Sequence, residues 1–190
     1  INQLSEFKEL LKRQYILDNL IKIVYKNKFD GKTVPLIMRE GWELRDYQIP
    51  ILEYLDDNKS CMSKFIGIQT GKGKSLLSLK SAVSYGKRIV IVVRPMFMDK
   101  WVLDVPQYLD IDPKRIMSVR GSSELQALLE LQRIGKLEEI DVILISNKTI
   151  QNWFKLYQEF KDGVLDQGYA CSPEDLYEFL ECGLRLIDEV

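Results

Sequence analysis

The chain has 190 residues, 46% hydrophobic and 29% charged, with a formal net charge of −1. That length supports one hydrophobic core with an appendage, and the near-neutral balance excludes a global basic field aimed at nucleic acid. The sequence contains no histidine, which excludes Ser-His-Asp and Cys-His nucleophile systems and imidazole metal ligands.

The charge is uneven. Residues 1–36 carry seven Lys/Arg against four Asp/Glu, and residues 151–190 carry three against nine. Such runs are ordinarily solvated faces. Three cysteines, Cys61, Cys171 and Cys182, lack CxxC spacing. That pattern argues against a disulfide framework or zinc site and fits a reducing intracellular compartment, cytoplasmic or nuclear. No apolar run reaches membrane-spanning length. The opening "INQLSEFKELLKR" is amphipathic rather than an apolar leader. A first residue other than Met leads us to expect part of a longer product.

In chain order, Leu4, Phe7, Leu10, Leu11, Leu17, Leu20, Ile21 and Val24 recur at helical spacing, which predicts a packing helix over residues 3–27. "NKFDGKT" reads as a turn and "VPLIMR" as a short extended segment. "RDYQIPILEYLDD" reads as a helix with Pro50 in its first turn. From residue 64 strands alternate with helices. "KFIGI" reads as a buried strand, "KSLLSLKSAVSYG" as a helix closed by Gly86, and "RIVIVV" as a parallel strand buried on both faces. "MFMDKWVLDVPQYL" reads as helix, "RIMSV" as strand, "SSELQALLELQRIG" as helix and "DVILIS" as a second buried strand. "KTIQNWFKLYQEFKDG" is a helix whose Trp153, Phe154 and Tyr157 are placed on one side, where core packing is favoured over stacking on bases. "SPEDLYEFLECG" is a helix with Ser172 as N-cap and Pro173 at its first position. "LRLIDEV" is a closing strand. Repeated βα units predict a three-layer α/β/α sandwich around a mainly parallel sheet. Two parts are expected: an N-terminal helical extension over residues 1–36 and the α/β lobe over residues 37–190.

The chemistry concentrates in "GIQTGKGKS", Gly67 to Ser75. The phosphate-loop pattern is G-x-x-x-x-G-K-[ST] between a strand and a helix. Its ending is met by Gly73, Lys74 and Ser75, whereas its first glycine would fall on Ile68. Thr70, Gly71, Lys72, Gly73, Lys74 and Ser75 form the cradle instead. Successive main-chain amides at a helix N-terminus bind anions. Lys74 is expected to reach the β/γ-phosphates and Ser75 to ligate Mg²⁺. "LRLIDEV" ends an apolar strand on Asp188 and Glu189. Asp188 is assigned to Mg²⁺ through water and Glu189 to activation of the attacking water.

These residues resemble the superfamily 2 helicases and translocases. "TGKGKS" is similar to their motif I and "LIDE" to their motif II, the DEAD/DEAH-type box. "LRDYQIPIL" resembles the upstream adenine-recognition stretch, in which Gln48 would read the adenine edge with Arg45 or Tyr47 flanking it. "IVIVVRPMFMDKW" is similar to motif Ia, with Pro95 and Trp101 placed as in the chromatin-remodeller type. "SVRGSSE" and "DVILISNKTI" fall where the next strand end and motif Ib lie. The resemblance spans about residues 40–190 and implies a RecA-like first lobe that binds ATP and Mg²⁺ and moves along nucleic acid. It implies backbone contacts for Arg94, Ser146, Asn147 and Lys148. It also implies a second RecA-like lobe carrying an arginine finger, in sequence beyond Val190. The extra helices between Ser146 and Gly183 favour DNA over RNA. Two other classes remain open: another P-loop NTPase, against which "RDYQ" speaks, and a nucleotide-binding interaction subunit with little ATPase of its own.

Overall fold

Five consecutive β-branched residues, Ile89 to Val93, run through the interior with every side chain buried. Such a run cannot face water on either side, so it must be sandwiched between two helical layers. The computed structural model describes residues 13, 31–59, 64, 66–69, 71–164 and 171–188. Its elements run α1 (Ile49–Asp57), α2 (Lys74–Tyr85), β1 (Ile89–Val93), α3 (Met98–Tyr108), β2 (Ile116–Val119), α4 (Ser122–Arg133), β3 (Val142–Ser146), α5 (Asn147–Lys161), the single turn α6 (Leu176–Phe179) and β4 (Leu184–Asp188). The strands form an all-parallel sheet in the order β2-β3-β1-β4.

Strand alternation divides the core. Ile89, Ile91 and Val93 point to one face and pack with Leu79 and Ala82 of α2 and Met98, Trp101 and Val105 of α3. Val90 and Val92 point to the other and pack with Leu125, Leu128 and Leu129 of α4, Trp153 of α5 and Leu176 of α6. The result is the three-layer α/β/α arrangement expected from the βα repeats. Each fully buried Leu, Ile or Val in these layers contributes roughly 1.5–3 kcal/mol from removal of apolar surface from water.

The amino ends of the strands are tied by arginines. Arg88 is fully buried and donates from Nε to the Ile140 carbonyl (2.9 Å), from one terminal nitrogen to Leu180 (2.8 Å) and from the other to Leu137 (2.7 Å). Burial lowers its pKa from the ordinary arginine value, and Cys182, Glu181 and Asp141 oppose that shift. Arg115 grips the buried Asp141 with two hydrogen bonds, at 2.6 and 2.8 Å, joining the starts of β2 and β3. That bidentate geometry raises the Arg115 pKa.

Several expectations need correction. "KFIGI" is not a strand among its described residues: Ile66 to Gln69 carry no regular structure, and Ile66 is exposed. The helix expected in "SPEDLYEFLECG" shrinks to one turn. Ser172 instead caps the preceding turn, its Oγ accepting from the Asp175 amide (3.2 Å) and donating to the Asp175 carboxylate (2.7 Å). On α5, Trp153 is buried but Phe154 is exposed, because neighbours in sequence point about 100° apart on a helix. The amphipathic helix expected over residues 3–27 lies outside the described residues apart from Arg13. Residues 31–36, assigned to the extension, pack into the lobe. Val34 and Leu36 are buried, the Lys32 amide donates to the Glu181 carbonyl (2.8 Å), and Arg88 returns a bond to Lys32 (2.8 Å). Among the described residues no helix is long and apolar enough to cross a membrane.

Candidate functional site

In a parallel sheet all carboxyl ends lie along one edge, where the connecting loops converge. Register fixes who meets there: Val93 of β1 stands beside Ser146 of β3 and beside Asp188 of β4. The glycine loop reaches this region at the start of α2.

The loop owes its shape to two glycines. Gly71 has φ +77° and Gly73 φ +73°, both in the left-handed region that disfavours side chains. Gly73 is the N-cap of α2 and supplies no side-chain cap. The first turn of a helix carries the positive end of its dipole. Lys74 and Ser75 are the first two residues of that turn. Thr70 and Glu189 lie outside the described residues.

The loop is braced from α1's side. Gln48 is almost completely buried, at 1% exposure. Its Nε2 donates to the carbonyls of Lys72 (3.0 Å) and Gly73 (3.2 Å), and its Oε1 accepts from the Arg45 amide (3.0 Å). The Tyr47 hydroxyl donates to the same Lys72 carbonyl (2.8 Å), with the Arg45 guanidinium 3.5 Å from that hydroxyl. The stretch expected to recognise adenine is thus bonded to the glycine loop. Both amide hydrogens of Gln48 are committed to the main chain. Beside it opens a cleft of about 340 Å³ lined by Tyr47, Ile51, Gly67, Ile68, Gln69 and Lys72, a volume within the range of small-molecule sites.

Helix α3 connects the loop to β4. Lys100 Nζ donates to Ser75 Oγ (2.8 Å) and pairs with Asp104 one turn further on. The next residue, Trp101, is buried and donates from Nε1 to Asp188 Oδ2 (2.8 Å). The hydroxyl and the carboxylate expected to hold magnesium are therefore gripped by consecutive side chains of one helix. Residue spacing carries no signal for either grip, since the contacts lie 25 and 87 positions apart.

This donor set suits a magnesium ion that arrives with a nucleotide. Among the described residues no cluster of three or more His, Cys, Asp or Glu could hold a metal by itself. Magnesium typically keeps several waters and takes one or two carboxylates together with phosphate oxygens. Ser75 and Asp188 offer oxygen ligands of that type, and Ser75 Oγ already accepts from a cation.

The residues expected to touch nucleic acid divide. Arg94 and Lys148 are exposed after β1 and β3, and Asn147 is half-buried. Ser146 is 2% exposed and caps α5: its Oγ accepts from the Thr149 amide (3.0 Å) and lies 2.7 Å from the Thr149 hydroxyl. Its side chain serves the helix, not the surface. Of the cysteines, Cys171 and Cys182 have thiols pushed up to about 12 by burial, so both remain protonated at neutral pH. Cys61 lies outside the described residues.

No family model matches the chain, and no curated protein matches it.

Proposed function

We propose that this chain is the ATP-binding lobe of a superfamily 2 nucleic-acid helicase or translocase, with duplex DNA the favoured track. One observation carries the reading. A loop with two left-handed glycines opens directly into α2, while the Ser75 hydroxyl and the strand-end carboxylate of Asp188 are each hydrogen-bonded by one of two adjacent residues of α3.

In this reading the first-turn amides of α2 and the Lys74 ammonium bind the phosphates. Ser75 and Asp188 would hold magnesium, which when bound neutralises charge on the phosphate oxygens. Trp101 orients Asp188. Tyr47 and Ile51 offer the base an apolar cleft, while Gln48 fixes the loop. Glu189, next in sequence to Asp188, is assigned the proton of the attacking water. Arg94 and Lys148, exposed on the same sheet edge, are assigned to the nucleic-acid backbone.

Binding of a fluorescent, non-hydrolysable ATP analogue to the full chain tests the proposal. Saturable, magnesium-dependent binding that Lys74→Ala abolishes, with an unchanged circular dichroism spectrum, supports it. No saturable binding by the unaltered chain overturns it.

A further inference from the structure

Lys100 reaches across from α3 to the hydroxyl of Ser75. Its ammonium donates to Ser75 Oγ at 2.8 Å, and Ser75 is buried. The same ammonium pairs with Asp104, whose side chain is 13% exposed, and lies 5.6 Å from the centre of the Trp101 ring. The lysine itself is 55% exposed and hangs from a flexible stem. It can leave Ser75 without losing Asp104.

A serine hydroxyl has two acceptor positions. Magnesium would sit about 2.0–2.1 Å from that oxygen. An ammonium at 2.8 Å on the same atom brings a monovalent and a divalent cation to within about 4–5 Å, where their repulsion is strengthened by the partly dry surroundings. Both cannot stay. We infer that Lys100 is a tethered cation that occupies the metal's place at Ser75 and is displaced onto Asp104 when metal-nucleotide binds, so that it sets the magnesium concentration at which the site fills. This rests on the nucleotide reading above and deepens it: the loop is bridged to α3 before nucleotide arrives and released from it on binding.

The test is a magnesium titration of fluorescent ATP-analogue binding to the full chain, read as binding rather than turnover. Lys100→Met removes the ammonium and keeps the stem, at an exposed position. It should lower the magnesium concentration at half-saturation about tenfold, the fold-change expected when one charge-assisted hydrogen bond no longer competes. In chelator, with no free metal, the variant should not bind the analogue more tightly. In a Ser75→Ala background the same substitution should leave the magnesium midpoint unchanged, because the contested oxygen is gone. An unchanged midpoint in the Ser75 protein overturns the inference while leaving the nucleotide site intact. Weaker binding at every magnesium concentration also overturns it, and makes Lys100 a phosphate contact. If the unaltered chain binds no analogue, the nucleotide reading itself falls, and this inference with it.

Discussion

Trp101 donates its indole N–H to Asp188 across 2.8 Å, although 87 residues separate them. The ring lies in the core between β1 and α3, while its nitrogen reaches the end of β4. A large apolar body with one polar tip does two jobs here: it fills the layer and aims a carboxylate.

Removing that tip should loosen the acid more than the fold. Trp101→Phe keeps an aromatic ring and loses the donor. Urea unfolding should show a loss of about 1.5–3 kcal/mol, from the charge-assisted hydrogen bond and a small cavity. Nucleotide binding should need more magnesium. In an Asp188→Asn background the effect of the tryptophan change on magnesium dependence should shrink, and a double-mutant cycle reads that coupling.

Gln48 distinguishes a brace from a base reader. Its amide hydrogens are bonded to the Lys72 and Gly73 carbonyls. Gln48→Ala should therefore weaken binding of adenine and guanine nucleotides by the same factor, while destabilising the fold by about 1–3 kcal/mol as partly buried groups lose partners. Dissociation constants for ATP and GTP analogues check this. A changed ratio between them would return Gln48 to adenine recognition.

Gly71 and Gly73 share a left-handed backbone but not their surroundings. A Cβ on Gly73 would lie 2.7 Å from Gln48 Nε2, whereas one on Gly71 meets nothing within 4 Å. Gly71→Ala should cost only the backbone term, about 1–2 kcal/mol. Gly73→Ala should cost more, because it also pushes Gln48 off the loop. Chemical denaturation and nucleotide affinity of the two variants should both rank Gly73→Ala as the more damaging.

Arg88 is a structural bolt away from the site. Arg88→Met keeps part of the stem but abandons three carbonyls, including buried ones. We expect a loss of at least about 3 kcal/mol in urea unfolding. Arg88→Lys should recover little of it, since one ammonium lacks the guanidinium's planar fork.

What the sequence determined by itself is whatever depends on near neighbours. β1 and β3 are legible because unbroken runs of Ile, Val and Leu must be buried on both faces. The loop is legible because left-handed turns need glycine and a helix start supplies amides, both within six residues. The described residues of "KFIGI" form no strand: apolar composition suits one, but a strand exists only when another segment pairs with it. Tertiary structure alone decided the pairing of Lys100 with Ser75, of Trp101 with Asp188, and the turning of Gln48 onto the loop. Those contacts join groups far apart in sequence, and only the packing of α1 and α3 against α2 and of α3 against the sheet brings them within hydrogen-bonding distance.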